Sequence, residues 1–232
     1  MPQRALGWRT PVAMAFIVLC VLGSLGLDLT GLAVGNFAED DMTSALAVVA
    51  AAFGLLSTLV AAALFFSIWI HRAATNVRTF GQRNLQFTPG WCVGWWFVPF
   101  ASLFKPLQAV KEVWRASDPD TVGGDGSAWL GSPQAPSSFG MWWGFWIAGE
   151  VLNRISARID DVPTSSGIGL VGTFCMALAA ASILSIMRKL DARQQACFAR
   201  LEQLRDAAPA PYGSYGGGYG APPPAGGYGA PY

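Results

Sequence analysis

Charged residues are scarce in this sequence, and their scarcity excludes an ordinary soluble protein. Only 12% of the 232 residues are Asp, Glu, Lys or Arg, while 53% are hydrophobic and the mean hydropathy is +0.38. A soluble domain has roughly a quarter of its residues charged. So few charges cannot cover a soluble surface, and a membrane domain is indicated. The net charge of +1 also gives no reason to expect a nucleic-acid partner.

Residues that bind metals or act in catalysis are equally rare. His71 is the only histidine, and the four cysteines contain no Cys-x-x-Cys pair, whereas a zinc site takes about four ligands. Nucleotide-binding, serine-hydrolase and metalloprotease motifs are absent. We therefore predict that the protein is not an enzyme and has no cofactor or metal.

Four apolar segments are each long enough for a spanning helix, which takes about 20 residues. They cover about residues 11–34, 44–70, 139–159 and 168–187. The third is the least apolar, because Glu150, Asn153 and Arg154 lie in its second half. We predict an all-α, multi-pass membrane domain over residues 1–206 with four transmembrane helices. Cleavage of the first segment as a signal peptide stays open as an alternative.

The positions of lysine and arginine predict the orientation. Thirteen of the 15 fall on one side of the predicted spans: Arg4, Arg9, Arg72, Arg78, Arg83, Lys105, Lys111, Arg115, Arg188, Lys189, Arg193, Arg200 and Arg205. By the positive-inside rule that side is the cytoplasm, so both termini are predicted there. The two external loops would be short and acidic, with Glu39, Asp40 and Asp41 in the first and Asp160 and Asp161 in the second.

A Trp-rich stretch between the second and third spans is too short to cross and is interrupted by Pro89, Pro99 and Pro106. A full crossing here would move the later cations outside and reverse every later segment. We therefore predict a re-entrant or interfacial hairpin over residues 87–116, and the sequence does not separate these two forms. Three tryptophans are expected at the level of the lipid headgroups: Trp91, Trp95 and Trp96.

Local residue types refine this hairpin. Gly90 and Gly94 are expected to permit a sharp entry into the hairpin, and Pro99 to deny a helical hydrogen bond near its middle. Pro106 is expected to begin a helix that ends near Ala116. Leu107, Val110, Val113 and Trp114 lie along one side of that helix, which predicts an amphipathic helix on the cytoplasmic surface. Residues 117–138 are mostly turn formers, so we expect a mobile linker.

The C-terminal part changes character twice. Apolar residues continue past the fourth span at heptad spacing, with Gln194 as a break, which predicts a solvated helical extension or a short coiled coil in a homo-oligomer. Residues 207–232 are rich in Gly and Pro and contain all five tyrosines. We predict a disordered tail that either recruits protein partners or only adds solubility.

Two acidic residues fall inside the predicted spans, Asp28 and Glu150. A charge at the centre of a spanning helix costs about 2.5 to 3.5 kcal/mol on insertion scales, so each is a candidate for a proton or cation relay. In the alternative interpretation, Glu150 pairs with Arg154 one turn later and Asp28 reaches water.

Three stretches of the chain resemble a known family. Trp69–Asn76, Phe87–Phe100 with Lys105-Pro106, and Trp114–Pro119 are similar to the bacterial membrane family called domain of unknown function 4328, over about residues 45–205. The positions that match its characteristic residues are Asn76, Pro89, Gly90, Trp91, Trp95, Trp96, Pro99, Lys105, Pro106, Trp114 and Arg115. The resemblance implies an integral protein of the bacterial cytoplasmic (inner) membrane, transfers no catalytic residue, and places any shared function in the hairpin.

Two functions are compatible with these features. The first is a non-enzymatic scaffold, sensor or interaction module whose hairpin packs on the helices or on the lipid bilayer and whose tail recruits partners. The second is a small permease or channel component with a polar pathway near Asp28 and Glu150.

Overall fold

The computed structural model describes residues 6–34 and 42–207, and within them the chain is helical and contains no strand. The α-helices are α1 (Arg9–Val34), α2 (Met42–Thr79), α3 (Pro89–Gly94), α4 (Lys105–Ala116), α5 (Ser138–Ser156) and α6 (Val162–Asp206). Short 3-10 turns lie between them at Trp95–Phe97, Ala101–Leu103, Pro119–Thr121 and Ala128–Gly131. The predictions for residues 39–41 and for the tail from 208 onward lie outside the described residues.

Three helices are long and apolar enough to cross a membrane. They are Arg9–Leu32 within α1, Val49–Thr79 within α2, and Val162–Asp206, which is all of α6; the mean hydropathies are 2.3, 2.3 and 2.1. Large apolar side chains on their outer faces are exposed, for example Leu22, Phe53 and Phe174. Such extensive apolar surface is unusual for a soluble monomer and is typical of lipid-facing helices. Three of the four predicted spans thus correspond to helices that could cross.

The long helices form a bundle in which α1 packs against both α2 and α6, and α5 packs along α6. Helices α5 and α6 are consecutive and antiparallel, and only residues 157–161 join them. They approach closely at Gly149, where an added Cβ would lie 3.1 Å from the carbonyl oxygen of Gly172. A side chain at position 149 would therefore require the Met176 side chain to move and the two backbones to shift by a few tenths of an ångström.

The two ends of the bundle differ. At one end, which we call the loop end, α1 and α5 finish and α6 begins. There Ser156 Oγ donates to the carbonyl of Ser165 at 2.6 Å, and Thr173 Oγ1 donates to Asp28 Oδ2 at 2.6 Å. At the opposite end, α2 and α6 are joined by a compact layer of residues 80–135, which we call the platform. Most of the buried core lies at this platform end, including Trp69, Val110, Phe139 and Met187.

Several elements extend further than the sequence predicted. Helix α2 continues from the predicted end at residue 70 to Thr79, because Ala73, Ala74 and Val77 are buried against the platform. Helix α6 runs from Val162 to Asp206. Its predicted extension beyond residue 187 is thus helical. The apolar seam of the extension packs within the chain: Cys197 contacts Phe80 and Val122, with Leu201 and Leu204 beside them.

The prediction of a mobile linker over residues 117–138 is wrong. Two 3-10 turns form there, and Ser117, Asp118, Val122, Trp129 and Ser132 are buried. Turn-forming residues do indicate irregular backbone, but here that backbone is fixed by tertiary contacts. The indole Nε1 of Trp129 donates to the carbonyl of Arg83 at 2.7 Å, so this segment is part of the platform.

Candidate functional site

A buried amide network joins three helices at the platform end. The Asn76 side chain on α2 donates to Gln194 Oε1 on α6 at 2.8 Å. The Gln194 amide donates in turn to the carbonyl of Ala73 at 3.0 Å and to Ser117 Oγ, just after α4, at 3.1 Å. Asn76, Gln194 and Ser117 are at most 1% exposed. Buried polar groups require such partners, so this network fixes α2, α4 and α6 relative to one another.

Arg193, the neighbour of Gln194, extends this connection. Its guanidinium donates to the carbonyl of Ser117 at 3.2 Å and lies 3.8 Å from Asp118. It also lies 4.8 Å from the ring centroid of Trp114, a geometry that allows a cation–π interaction. Trp114 is buried and meets Phe139 edge to face at 5.4 Å. The predicted motif residue Trp114 thus joins α4 to both α6 and α5.

The start of the Trp-rich segment, which we define as residues 87–104, is fixed by charged side chains. Glu112 on α4 accepts the backbone N–H groups of Gln86 at 2.8 Å and Phe87 at 3.0 Å. Arg78 on α2 donates to the carbonyl of Phe87 at 2.9 Å. Burial raises the pKa of Glu112 above its ordinary value, although the two backbone hydrogen bonds oppose this shift.

Trp96 is the centre of an aromatic cluster between the Trp-rich segment and the long helices. Its ring centroid lies 5.5 to 6.5 Å from those of Phe66, Trp142, Trp143 and Trp146. The indole Nε1 of Trp143 donates to the carbonyl of Leu103 at 2.8 Å. Edge-to-face and tilted contacts of this kind add to the free energy gained by burying the rings. The cluster therefore fixes the middle of the segment against α2 and α5.

Lys105 and Pro106 form the junction between the Trp-rich segment and α4. Pro106 is in the first turn of α4, as predicted, where its missing N–H costs nothing. The Lys105 ammonium lies 5.8 Å from the ring of Phe87 and 5.9 Å from that of Trp95, and Trp95 contacts Trp91 at 4.6 Å. The cation thus brings the beginning and the end of the segment together.

Arg115 has a similar role on the other side of α4. Its guanidinium lies 5.8 Å from the ring of Trp129 and donates to the carbonyl of Leu130 at 2.6 Å. These contacts attach the segment after α4 to the helix itself. Arg115 therefore positions the platform backbone.

The apolar face of α4 is covered by protein. Val110, Val113, Trp114 and Ala109 are buried in the main core. The periodicity correctly predicted an amphipathic helix. The expectation that it lies with this face on the membrane surface is wrong, because α2, α5 and the Trp-rich segment occupy the face.

The entry to the Trp-rich segment differs from the prediction. Gly90 and Gly94 lie inside the short helix α3, which Thr88 caps by accepting the N–H of Trp91 and which Pro89 begins. The sharp change of direction occurs after Pro99, at Phe100, whose φ of +60° is unusual for a residue with a side chain. The predicted break near Pro99 is thus present, whereas the predicted sharp entry at the glycines is wrong, because both lie in helix α3.

One edge of the Trp-rich segment is apolar and exposed. Phe97, Phe100 and Phe104 are 77%, 84% and 63% exposed, and Leu103 and Trp91 are also exposed. We call this set the aromatic edge. Outside this set, only Thr88, Gly90 and Pro99 of the segment are exposed. The aromatic edge is therefore the main apolar surface that the segment offers to lipid or to a partner.

The two acids predicted to lie in the membrane form contacts in two separate places. Asp28 accepts the hydrogen bond from Thr173 on α6, while Glu150 lies 3.7 Å from Arg154 on its own helix. The latter is the pairing expected from their spacing. No ion pair or hydrogen bond of the described residues joins Asp28 to Glu150.

Sequence reasoning missed several residues that build this site: Arg78, Glu112, Ser117, Trp129 and Gln194. Gln194 had a recognisable signal, since it is the polar interruption of an apolar heptad seam. The others lie among ordinary polar or loop residues, where partners distant in sequence decide their burial.

Comparison with known protein families identifies the family of this chain. The family model described as Domain of unknown function (DUF4328) matches residues 36–192, which is more than half of the chain. The chain belongs to the DUF4328 family. No match was found among curated proteins or among solved structures.

The DUF4328 match contains the Trp-rich segment, the platform and most of α6, and α1 precedes it. It thus agrees with the sequence-based resemblance, which also left the first segment outside. Gln194 lies two positions beyond the matched range. The amide network therefore extends just past the part of the chain that identifies the family.

Proposed function

We propose that the chain is a non-enzymatic integral protein of the bacterial cytoplasmic membrane that acts as an interaction module. In this proposal four helices cross the bilayer, both termini and the platform are cytoplasmic, and the Trp-rich segment is re-entrant. The tail from residue 208 recruits protein partners.

Helix α5 supplies the fourth crossing. It begins beside the platform, where Trp143 bonds to Leu103, and ends at the loop end, where Ser156 bonds to Ser165. Its 19 residues extend about 28 Å at 1.5 Å per residue, close to the roughly 30 Å of the hydrocarbon core. Glu150 and Arg154 are paired, which lowers the cost of placing them in this helix.

The depth of the Trp-rich segment supports re-entry. Phe87 bonds to Arg78 on α2, whereas Trp96 contacts Phe66, which precedes Arg78 by three turns. At 1.5 Å per residue these two levels are about 18 Å apart along α2. The segment therefore descends beside α2 and returns to Lys105, and its aromatic edge would face the inner leaflet.

One observation favours a structural and interaction role above all: the polar side chains of the motif are occupied in holding the platform together. Asn76 bonds to Gln194, Arg115 donates to the carbonyl of Leu130, and the Lys105 ammonium lies 5.8 Å from the ring of Phe87. A catalytic or transport site needs polar groups directed at a substrate. The transport alternative has weaker support, because Asp28 and Glu150 make separate contacts.

Capture of partners from membranes, with and without residues 208–232, tests the module directly. We expect at least one partner to be captured reproducibly by the full chain and lost on removal of the tail. The control is Asn76→Leu, a variant that keeps the tail but removes a buried contact of the platform. It shows how far capture depends on the folding of the membrane domain. Partner capture that is independent of the tail, or solute flux through liposomes containing the purified protein, would contradict the proposal.

A further inference from the structure

A groove of about 790 Å³ runs between α1 and α6 at the platform end of the bundle. It is open to the side, where the surrounding surface is apolar: Val18 and Leu19 line it and are 40% and 49% exposed. Pockets of this volume accommodate small molecules. In the proposed membrane orientation, the groove opens towards the lipids of the inner leaflet.

The lining of the groove changes from polar to apolar along the bundle axis. Thr10 lies at the start of α1, and Val18 follows about 12 Å deeper at 1.5 Å per residue. On the antiparallel α6 the same direction leads from Gln195 through Asp191 and Arg188 to Leu184. The charged side chains thus lie at headgroup depth, and the apolar ones lie deeper. This gradient matches a single lipid aligned with its neighbours in the leaflet.

The polar end also contains charges that the protein matches only in part, since the Asp191 carboxyl has a hydrogen bond with Gln195 but no ion pair among the described residues. Arg188 and Asp191 are one turn apart on α6, and neither takes part in an ion pair among the described residues. Asp191 Oδ1 and Thr10 Oγ1 are buried without a hydrogen-bond partner. A guanidinium suits a phosphate, and a carboxylate suits an ammonium group. Such a cation–anion pair at headgroup depth is complementary to a zwitterionic headgroup that can donate hydrogen bonds.

We propose that this groove binds one glycerophospholipid with a phosphoethanolamine headgroup. Arg188 binds the phosphate, Asp191 accepts the ammonium group, and one acyl chain lies along Met14, Val18 and Leu184. Basic pockets between helices on the cytoplasmic side are a recognised mode of headgroup binding. The inference rests on the membrane embedding in the proposed function and is independent of the role of the tail or of the Trp-rich segment.

Native mass spectrometry of the full chain in detergent, titrated with defined lipids, tests this site. We expect one phosphatidylethanolamine to be retained per chain, with at least 10-fold higher affinity than phosphatidylglycerol or phosphatidylcholine. Phosphatidylglycerol lacks the amine, and the quaternary amine of phosphatidylcholine cannot donate a hydrogen bond. Glycerophosphoethanolamine, which has no acyl chains, should displace the lipid at least 100-fold less effectively than the intact lipid does.

Matched variants locate the site. Arg188→Gln should weaken retention about 10-fold, and Asp191→Asn should abolish the preference for phosphatidylethanolamine over phosphatidylglycerol. Ala15→Trp, a change on the exposed wall of the groove, should exclude the acyl chain. Lys189→Gln removes the adjacent exposed cation outside the groove and is the control. Circular dichroism checks that each variant is folded.

Three results would overturn the proposal: equal retention of all three lipids, an equal effect of Lys189→Gln and Arg188→Gln, or retention unaffected by Ala15→Trp. Phosphatidylethanolamine binding that appears only after removal of residues 1–5 would also contradict it, since the chain's own terminus would then fill the groove. Failure of the proposed topology can be distinguished from failure of the lipid site, because the sidedness of the chain is measured with reporter fusions and requires no lipid titration.

Discussion

At the residue scale, Asn76 and Gln194 show the energetic consequence of burying amides beside a membrane. Each is completely enclosed, and they bond to each other at 2.8 Å. Replacing Gln194 with methionine keeps most of the volume but leaves the Asn76 donor without this partner. We expect Gln194→Met to lower the free energy of unfolding by about 1 to 3 kcal/mol, the cost of an unsatisfied buried polar group. Denaturant unfolding in detergent, followed by tryptophan fluorescence, measures it.

Two further variants make this test specific. Gln203→Met changes an exposed glutamine on the same helix and should alter stability little. Combining Asn76→Leu with Gln194→Met removes both amides, so the double variant should be more stable than the sum of the single losses predicts. Additive losses would show that the two residues do not stabilise the fold through their mutual hydrogen bond.

Cys92 permits a second residue-scale prediction. The thiol is 1% exposed, and burial, together with the nearby Glu112 carboxylate, raises its pKa to about 12. A pH of 8 is about four units below that pKa, so very little of the thiol is present as the reactive thiolate. With the other three cysteines changed to alanine, Cys92 should resist maleimide in the folded protein and react after denaturation. The matched control replaces Cys92 as well and introduces Lys111→Cys; equal labelling rates of the two folded proteins would contradict the prediction.

Several of the residues in the predicted motif do build the platform. Asn76, Lys105, Trp96, Trp114 and Arg115 all make defining contacts of the platform. Their partners were not predictable, because Gln194 is 118 residues from Asn76 in the chain and no local pattern encodes that pairing. The predicted entry at Gly90 and Gly94 was also wrong, because both lie in helix α3; the change of direction comes at Phe100, directly after Pro99.

At the scale of elements, Glu112 connects α4 to the start of the Trp-rich segment, and this connection should depend on pH. Because burial raises its pKa, the fold favours the protonated form. This contribution to stability is complete below the ordinary glutamate pKa and is lost as pH rises through the raised pKa. We therefore expect wild type to lose stability relative to Glu112→Gln as pH increases from about 4 to 8. Apparent Tm values of both proteins across this range measure the difference.

The control for this effect is Glu202→Gln, which removes an exposed carboxyl group on α6. If the wild type instead gains stability relative to Glu112→Gln as pH rises, the two backbone N–H donors have a larger effect on the pKa of Glu112 than burial has. In that case the carboxylate would be the form that the fold prefers, and Glu112 would anchor the segment as an anion.

Elements were predicted with uneven success, for identifiable physical reasons. Long apolar runs identified α1, α2 and α6, and the period of apolar residues identified α4. Helix ends were less predictable, because α2 continues for more than two turns past its apolar run and is stabilised there by platform contacts. Residues 117–135 have the composition of a loop, and only contacts distant in sequence, such as the hydrogen bond from Trp129 to Arg83, distinguish ordered from mobile backbone.

At the scale of the whole molecule, the number of crossings decides which side each part occupies. If α1 and α2 both cross, as proposed, they return the chain to the side on which it started. If α5 crosses, residue 160 is external and residue 207 is cytoplasmic. If α5 remains on the cytoplasmic side, α6 instead carries the C-terminus outside, and both positions exchange sides. The cations after residue 187 favour the first arrangement, since five of them would otherwise be translocated.

Reporter fusions separate the two arrangements. We expect alkaline phosphatase, which is active only outside the cytoplasm, to be active when inserted at residue 160 and inactive after residue 207. A cytoplasmic fluorescent reporter should give the reverse pattern. Modification of Lys111→Cys, in a background without other cysteines, then tests whether the Trp-rich segment returns to the side from which it left: an impermeant maleimide should label it only in broken cells. Activity of alkaline phosphatase after residue 207, or labelling of position 111 in intact spheroplasts, would reject the four-crossing topology with a cytoplasmic platform.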